Sequence, residues 1–177
     1  GADTLYIPHI DISGDWWTGV VLLNLDRINS AHVRMKAYNS SGRMLDIRDF
    51  VLEPGQKRSD LIQDYWTGAL PEDAAWFEFF SHRLISGCVL WGNHSGHGSR
   101  GMAGIPLLSP SRTNNVLYIP HLDISHDGWW TGIALFNPND NPTDLTVAGY
   151  TQNGDLAATG SMRIPGHGNW VGLVQSL

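Results

Sequence analysis

Apolar and polar positions alternate along much of this chain. In HVRMKAY, Val33, Met35 and Ala37 fall on one side and Arg34 and Lys36 on the other, the period-two signature of a half-buried strand. Runs rich in β-branched and aromatic residues predict strands at 4–8, 17–25, 32–39, 44–52, 75–81 and 85–91, and then at 116–120, 130–137, 145–151, 156–164 and 169–175. Twenty glycines and nine prolines divide these runs, which keeps the strands short and their connections turn-like. A helical pattern is confined to SDLIQDYW at 59–66, where Ser59 is placed to cap a short helix. The pattern predicts an all-β fold, an antiparallel β-sandwich.

The pattern also repeats. LYIPHIDISGDWWTGVVLLN, from Leu5, returns as LYIPHLDISHDGWWTGIALFN from Leu117. Further on, AYNSSG matches GYTQNG, LEPGQ (52–56) matches RIPGH (163–167), and DLIQ matches GLVQ. A period of about 112 residues is too long for a solenoid repeat and suits one small domain. The chain therefore reads as about one and a half copies. Residues 1–116 form a complete first repeat with a glycine-rich loop at 92–104, and 117–177 form a truncated second one. Half a sandwich would leave an open sheet edge and an uncovered apolar face. The expectation is that both copies merge into one pseudo-two-fold unit with a shared core, with a second chain as the other way to complete it.

Charge and cysteine narrow the function classes. The net charge is −6, with no block of Lys or Arg, so nucleic acid and anionic membrane surfaces are not expected partners. No apolar run is long enough to span a bilayer, and membrane insertion is not expected. Cys88 is the single cysteine, which rules out an intrachain disulfide or a cysteine-based zinc site. Its apolar surroundings, LISGCVLWG, mark it as a small core residue. The opening Gly-Ala-Asp, without Met, fits an exported, processed protein or an expression remnant.

Each copy carries Pro-His-x-Asp-Ile-Ser, a Trp-Trp-Thr-Gly, and an Asn closing an apolar strand: His9, Asp11, Trp16, Trp17, Thr18 and Asn24, then His121, Asp123, Trp129, Trp130, Thr131 and Asn137. Residues two apart on an extended strand share a face, so each His stands beside its Asp. Three readings stay open. The pair pins the turn before WWTG by a ring N–H to carboxylate bond. Alternatively, His9, Asp11, His121 and Asp123 bind a divalent metal, aided by His126, His94 or His97. Or the groups line a polar ligand site. The metal reading carries a hydrolase with a metal-bound water as nucleophile, and no cofactor is otherwise expected.

Eight tryptophans are present. Adjacent Trp16–Trp17 and Trp129–Trp130 point to opposite faces, so one of each pair enters the core while the other stays near solvent. They are either core anchors or indoles that stack on sugar rings, with Trp16, Trp17, Thr18, Trp129, Trp130 and Thr131 lining the site. Trp66, Trp76, Trp91 and Trp170 lack the repeated context and read as packing residues. The glycine-rich loop lacks G-K-[ST] and is not a P-loop. No G-x-S-x-G occurs, and Ser81 and His82, being adjacent, diverge on a strand.

The aromatic-Ile-Pro-His start, the Trp-x-Thr-Gly, the apolar strand ending in Asn, and the Ala37–Gly42 and Leu52–Gly55 segments resemble a loose group of bacterial secreted proteins built from tandem β-sandwich-like units. The resemblance covers most of the chain. It implies a secreted, periplasmic or cell-surface protein and carries no catalytic residues across. The resulting expectation is a non-enzymatic extracellular or envelope-associated module for adhesion, surface assembly or carbohydrate binding, with polysaccharide or a surface protein as partner. The alternatives are the metal-dependent hydrolase and a purely structural repeat that pairs through sheet edges, including with a second copy of itself.

Overall fold

The computed structural model describes residues 3–66, 68–94, 101–110, 116–122 and 130–176. The fold is all-β and antiparallel, with strands β1 (Asp3–Ile7), β2 (Trp16–Asn24), β3 (Ala31–Tyr38), β4 (Met44–Leu52), β5 (Lys57–Leu61), β6 (Trp76–Ser81), β7 (Ile85–Asn93), β8 (Met102–Pro106), β9 (Gly132–Phe136), β10 (Thr143–Tyr150), β11 (Leu156–Ile164) and β12 (Asn169–Leu173). Two four-stranded sheets run in the orders β1-β6-β3-β4 and β5-β2-β7-β8. Two two-stranded sheets follow, β12-β9 and β10-β11.

The four-stranded sheets share one apolar cluster. It draws Leu5 and Ile7 from β1, Val33 and Met35 from β3, Phe77 and Phe79 from β6, Val20 and Leu22 from β2, and Ile85 and Val89 from β7. In β2 the alternate positions Thr18, Val20, Leu22 and Asn24 are buried, while Val21 and Leu23 on the other face are half-buried. Each fully buried Leu, Ile or Phe contributes about 2 kcal/mol by leaving water.

The expected single merged core resolves into two clusters. Every buried member of the larger one lies between Leu5 and Leu107. The second copy joins the first through a smaller aromatic group, in which Tyr6, Tyr38 and Trp76 meet Phe136. Tyr38 and Trp76 stack with ring centroids 4.2 Å apart, and Phe136 leans on Tyr6 at 4.9 Å. Hydrogen bonds seal this junction: Trp76 Nε1 donates to the His167 carbonyl at 2.8 Å, and Asn169 Nδ2 to the Pro8 carbonyl at 3.1 Å. At Gly42, with φ of +90°, a Cβ would lie 2.0 Å from the Gly166 carbonyl oxygen, so the two copies touch there backbone to backbone.

Three local expectations change. The 59–66 segment is not one helix capped by Ser59. Lys57–Leu61 is strand β5, with Ser59 opposite Val21 in the ladder to β2, and only Ile62–Tyr65 forms a 3₁₀ turn, which has no side-chain cap. The glycine-rich stretch contains strand β8, which pairs with β7. The Leu90 side chain lies against Gly104, where a Cβ would meet its Cδ2 at 2.5 Å. Finally, 116–120 forms no strand. The five residues LYIPH occur twice, yet Leu5, Tyr6 and Ile7 are 6%, 7% and 0% exposed, while Leu117, Tyr118 and Ile119 are 64%, 88% and 50% exposed. In the first copy β1 pairs with β6, Leu5 opposite Phe79. Among the described residues the second copy has no strand equivalent to β6.

Candidate functional site

The turn between β1 and β2 is built by Asp11, Ser13 and Thr18. Thr18 is fully buried, and its Oγ1 accepts the Asp11 N–H and donates to the Asp11 carbonyl, both at 2.8 Å. The Asp11 carboxylate turns to Ser13, whose N–H and Oγ–H donate to Oδ1 at 2.9 and 2.6 Å. Both groups are thus engaged in holding the turn, and the turn is pinned by Ser13 and Thr18.

His9 sits elsewhere in the same turn. Its ring lies nearly parallel to Trp91, with centroids 6.3 Å apart, and Trp91 Nε1 donates to its carbonyl at 3.2 Å. Burial holds the imidazole below its ordinary pKa of 6.5, opposed by the nearby Asp11 charge. His9 lines a cleft of about 420 Å³ at the junction of the two copies, together with Ile10, Ser40, Ala74, Asn169 and Trp170. By its sequence context Trp170 reads as packing only. Its place in this cleft depends on how the copies dock, which no local signal reports.

Among the described residues, no three His, Cys, Asp or Glu side chains come together in a way that could hold a metal ion. His121 is exposed. Asp123, His126, Trp129 and His97 lie outside the described residues.

The tryptophan pairs do meet across the copies, but not in matched positions. Trp16 stands edge-on to Trp130, with centroids 6.4 Å apart and an interplanar angle of 74°. Trp17 is half-buried and lies beside His94 at 6.3 Å. Its indole covers glycines: a Cβ on Gly92, its partner across the ladder to β7, would be 2.3 Å from Trp17 Cζ2. The Trp-x-Gly spacing recurs in the chain for the same reason. Residues two apart share a face, so Trp17 lies over Gly19, Trp130 over Gly132 and Trp170 over Gly172. Trp130 remains 57% exposed.

The strand-closing asparagines are internal clamps. Asn24 is fully buried, and its Nδ2 reaches the carbonyls of Asn29, Leu52 and Glu53 at 2.8, 3.1 and 3.1 Å, while Oδ1 accepts the Asp26 N–H at 2.9 Å. Asn137 does the same with the carbonyls of Asn141, Ile164 and Pro165 at 2.8, 3.4 and 3.1 Å, and with the Asn139 N–H at 3.1 Å. The clamps place Leu52 opposite Ile164 in the comparison of copies, one residue away from the match suggested by the two Pro-Gly pairs.

This register identifies the second copy's equivalents of core positions. Val20 and Leu22 correspond to Ile133 and Leu135, and Val33 and Met35 to Leu145 and Val147. The four first-copy residues are at most 1% exposed, whereas Ile133 is 8% exposed and Leu135, Leu145 and Val147 are only half-buried. Among the described residues the second copy thus repeats the apolar set of the first but buries it less completely.

No family model and no curated protein matches the chain. A solved structure, "Crystal Structure of Thermotoga maritima 1070", is similar with a TM-score of 0.50 and 10% sequence identity, covering 61% of this chain and 94% of that one. At that identity the likeness concerns the fold alone. Among the described residues, no helix is long and apolar enough to cross a membrane.

Proposed function

We propose that this protein is a non-enzymatic extracellular or envelope-associated β-sandwich module that works in surface assembly, through its second copy. The observation that carries this reading is the exposure of Leu117, Tyr118 and Ile119, together with the incomplete burial of Leu135, Leu145 and Val147. Leu117, Tyr118 and Ile119 are consecutive, and large apolar side chains grouped in solvent mark an interaction surface. The resemblance to secreted tandem-unit proteins supports a secreted, periplasmic or cell-surface location.

Fractionation of the producing cells tests it. Leu117→Lys with Ile119→Lys alters residues that are 64% and 50% exposed, so the melting temperature should stay within about 2 °C of wild type. The variant should move from the envelope-retained to the freely soluble extracellular fraction. Wild-type protein found inside the cell, or equal retention of the variant, would refute the reading.

A second reading, carbohydrate binding, is favoured by the meeting of Trp16 and Trp130 with the Trp130 indole open to solvent. A flat exposed indole suits the C–H face of a pyranose. Trp130→Ala should abolish retention on a polysaccharide matrix that holds wild type, with Trp17→Ala as the comparison. Equal retention of Trp130→Ala, or none by wild type on any matrix, would remove it.

A further inference from the structure

We propose that the cleft at the junction of the two copies binds a single neutral sugar ring, stacked on Trp170 and hydrogen-bonded by His9, Ser40 and Asn169. The Trp16–Trp130 pair does not line this cleft, and the proposal depends on neither reading above.

Both copies build the walls. His9, Ile10 and Ser40 come from the first, Asn169, Trp170 and Val171 from the second, and about 420 Å³ lies between them. That volume falls within the range of small-molecule sites. Backbone bonds hold the walls: the Ile10 N–H donates to the Ala75 carbonyl at 3.2 Å, and the Asn169 N–H to the Ser40 carbonyl at 3.1 Å. The cleft is thus formed before a ligand arrives, which spares the cost of ordering it.

Trp170 supplies a flat apolar surface. Its indole lies over Gly172, where a Cβ would be 2.7 Å from Cζ2, and the residue remains half-buried. Its own strand therefore fixes how the ring lies. Around it stand polar groups that the fold does not use up. The Asn169 side chain is oriented by Nδ2, which donates to the Pro8 carbonyl at 3.1 Å, and Oδ1 remains as an acceptor. Stacking on Trp91 sets the His9 ring, and among the described residues that ring has no hydrogen-bond partner. Burial favours its neutral form, which offers one donor and one acceptor. Ser40 is exposed, and its hydroxyl both donates and accepts.

The lining selects the ligand class. It contains no Lys, Arg, Asp or Glu, so a charged ligand would lose water without gaining a counter-charge. A purely apolar ligand would leave the His9, Ser40 and Asn169 groups without partners. A pyranose carries hydroxyls around an apolar C–H face, and so satisfies the indole and the polar groups together.

The probes are the methyl glycosides of glucose, galactose, mannose and N-acetylglucosamine, titrated into the isotope-labelled full chain and followed by amide chemical shifts. At least one should give saturable shifts in Ile10 and Ser40 and, with the same constant, in Trp170 and Val171, at about millimolar affinity. Sorbitol, which has the hydroxyls but no ring, should give none. Trp170→Ala should weaken binding about tenfold or more, and Trp170→Phe, which keeps a flat ring, about threefold. Ser40→Ala leaves the backbone bond to Asn169 in place and should weaken binding about threefold in a chain of unchanged stability. Absence of saturable shifts with all of the glycosides would overturn the proposal. So would equal binding of sorbitol, unchanged affinity in Ser40→Ala and Trp170→Phe, or benzyl alcohol displacing the glycoside at lower concentration than the glycoside itself requires. Shifts centred on Trp16 and Trp130 would also overturn it, and would leave the carbohydrate reading of that pair standing.

Discussion

Gly55 and His167 occupy the same left-handed corner of two equivalent turns, with φ of +67° and +54°. The N–H of Gly55 donates to the Asp26 carbonyl, and that of His167 to the Asn139 carbonyl. The first copy fills the corner with the residue that adopts it freely. The second fills it with a histidine, which stacks on Tyr38 at 5.7 Å and bonds Asp140 through Nε2 at 2.8 Å.

His167→Ala keeps the left-handed backbone cost and loses the ring. His167→Gly loses the ring and the cost together. The alanine variant should therefore be less stable than the glycine variant by about 1 kcal/mol. Urea denaturation of the two compares them directly, and equal midpoints would contradict the left-handed corner.

Asn24→Ala removes a buried donor from three carbonyls at once. Loss of about 3 kcal/mol is expected, since buried acceptors left without a partner keep their full desolvation cost. Asn24→Asp should be at least as damaging, because a carboxylate would face those same carbonyls. Asn137→Ala should cost less, as its surroundings are more open. An Asn24→Ala midpoint equal to wild type would mean the clamp contributes nothing.

Gly92→Ala should displace the Trp17 indole, whose Cζ2 would stand 2.3 Å from the new methyl. Overpacking of this kind costs about 1–3 kcal/mol. Near-UV circular dichroism should change in the tryptophan bands while the far-UV strand signal persists. An unaltered near-UV spectrum would show that the indole does not rest on this glycine.

His9 gives a pH dependence with a defined sign. Its folded pKa lies below the unfolded value of 6.5 because burial disfavours the charged ring. Between the two values the unfolded chain binds more protons, so stability present above pH 6.5 declines as pH falls through that window. His9→Gln should show a smaller decline between pH 6.5 and pH 5 than wild type, measured as urea midpoints at each pH. An identical decline would place the proton uptake elsewhere.

Much of the architecture is legible in the sequence, because strand faces follow from period-two alternation. Val33, Met35 and Ala37 are buried and Arg34 exposed, as their spacing predicts. Asn24 and Asn137 were visible as repeated residues, but their role was not, since the carbonyls they hold lie up to 29 residues away. Strand β8 is not legible in the sequence, because its glycine and proline, following the glycine-rich stretch, resemble loop. The Leu90 side chain occupies the space beside Gly104, where a Cβ would meet its Cδ2 at 2.5 Å. The register between copies also misled: matching Pro54 to Pro165 sets Gly55 against Gly166, whereas the hydrogen bonds set it against His167.

The sequence by itself determined local conformational preference: which residues can lie on one face, where Gly and Pro end a strand, and that Trp-x-Gly places an indole over a glycine. Tertiary structure decided which of those preferences are realised. LYIPH at 5–9 and LYIPH at 117–121 have the same propensities, but Leu5–Ile7 lies within a buried strand while 117–121 is exposed coil. A strand's backbone groups and its apolar face are stabilised only by a neighbour. β6 is that neighbour for the first, and no described strand plays that part for the second.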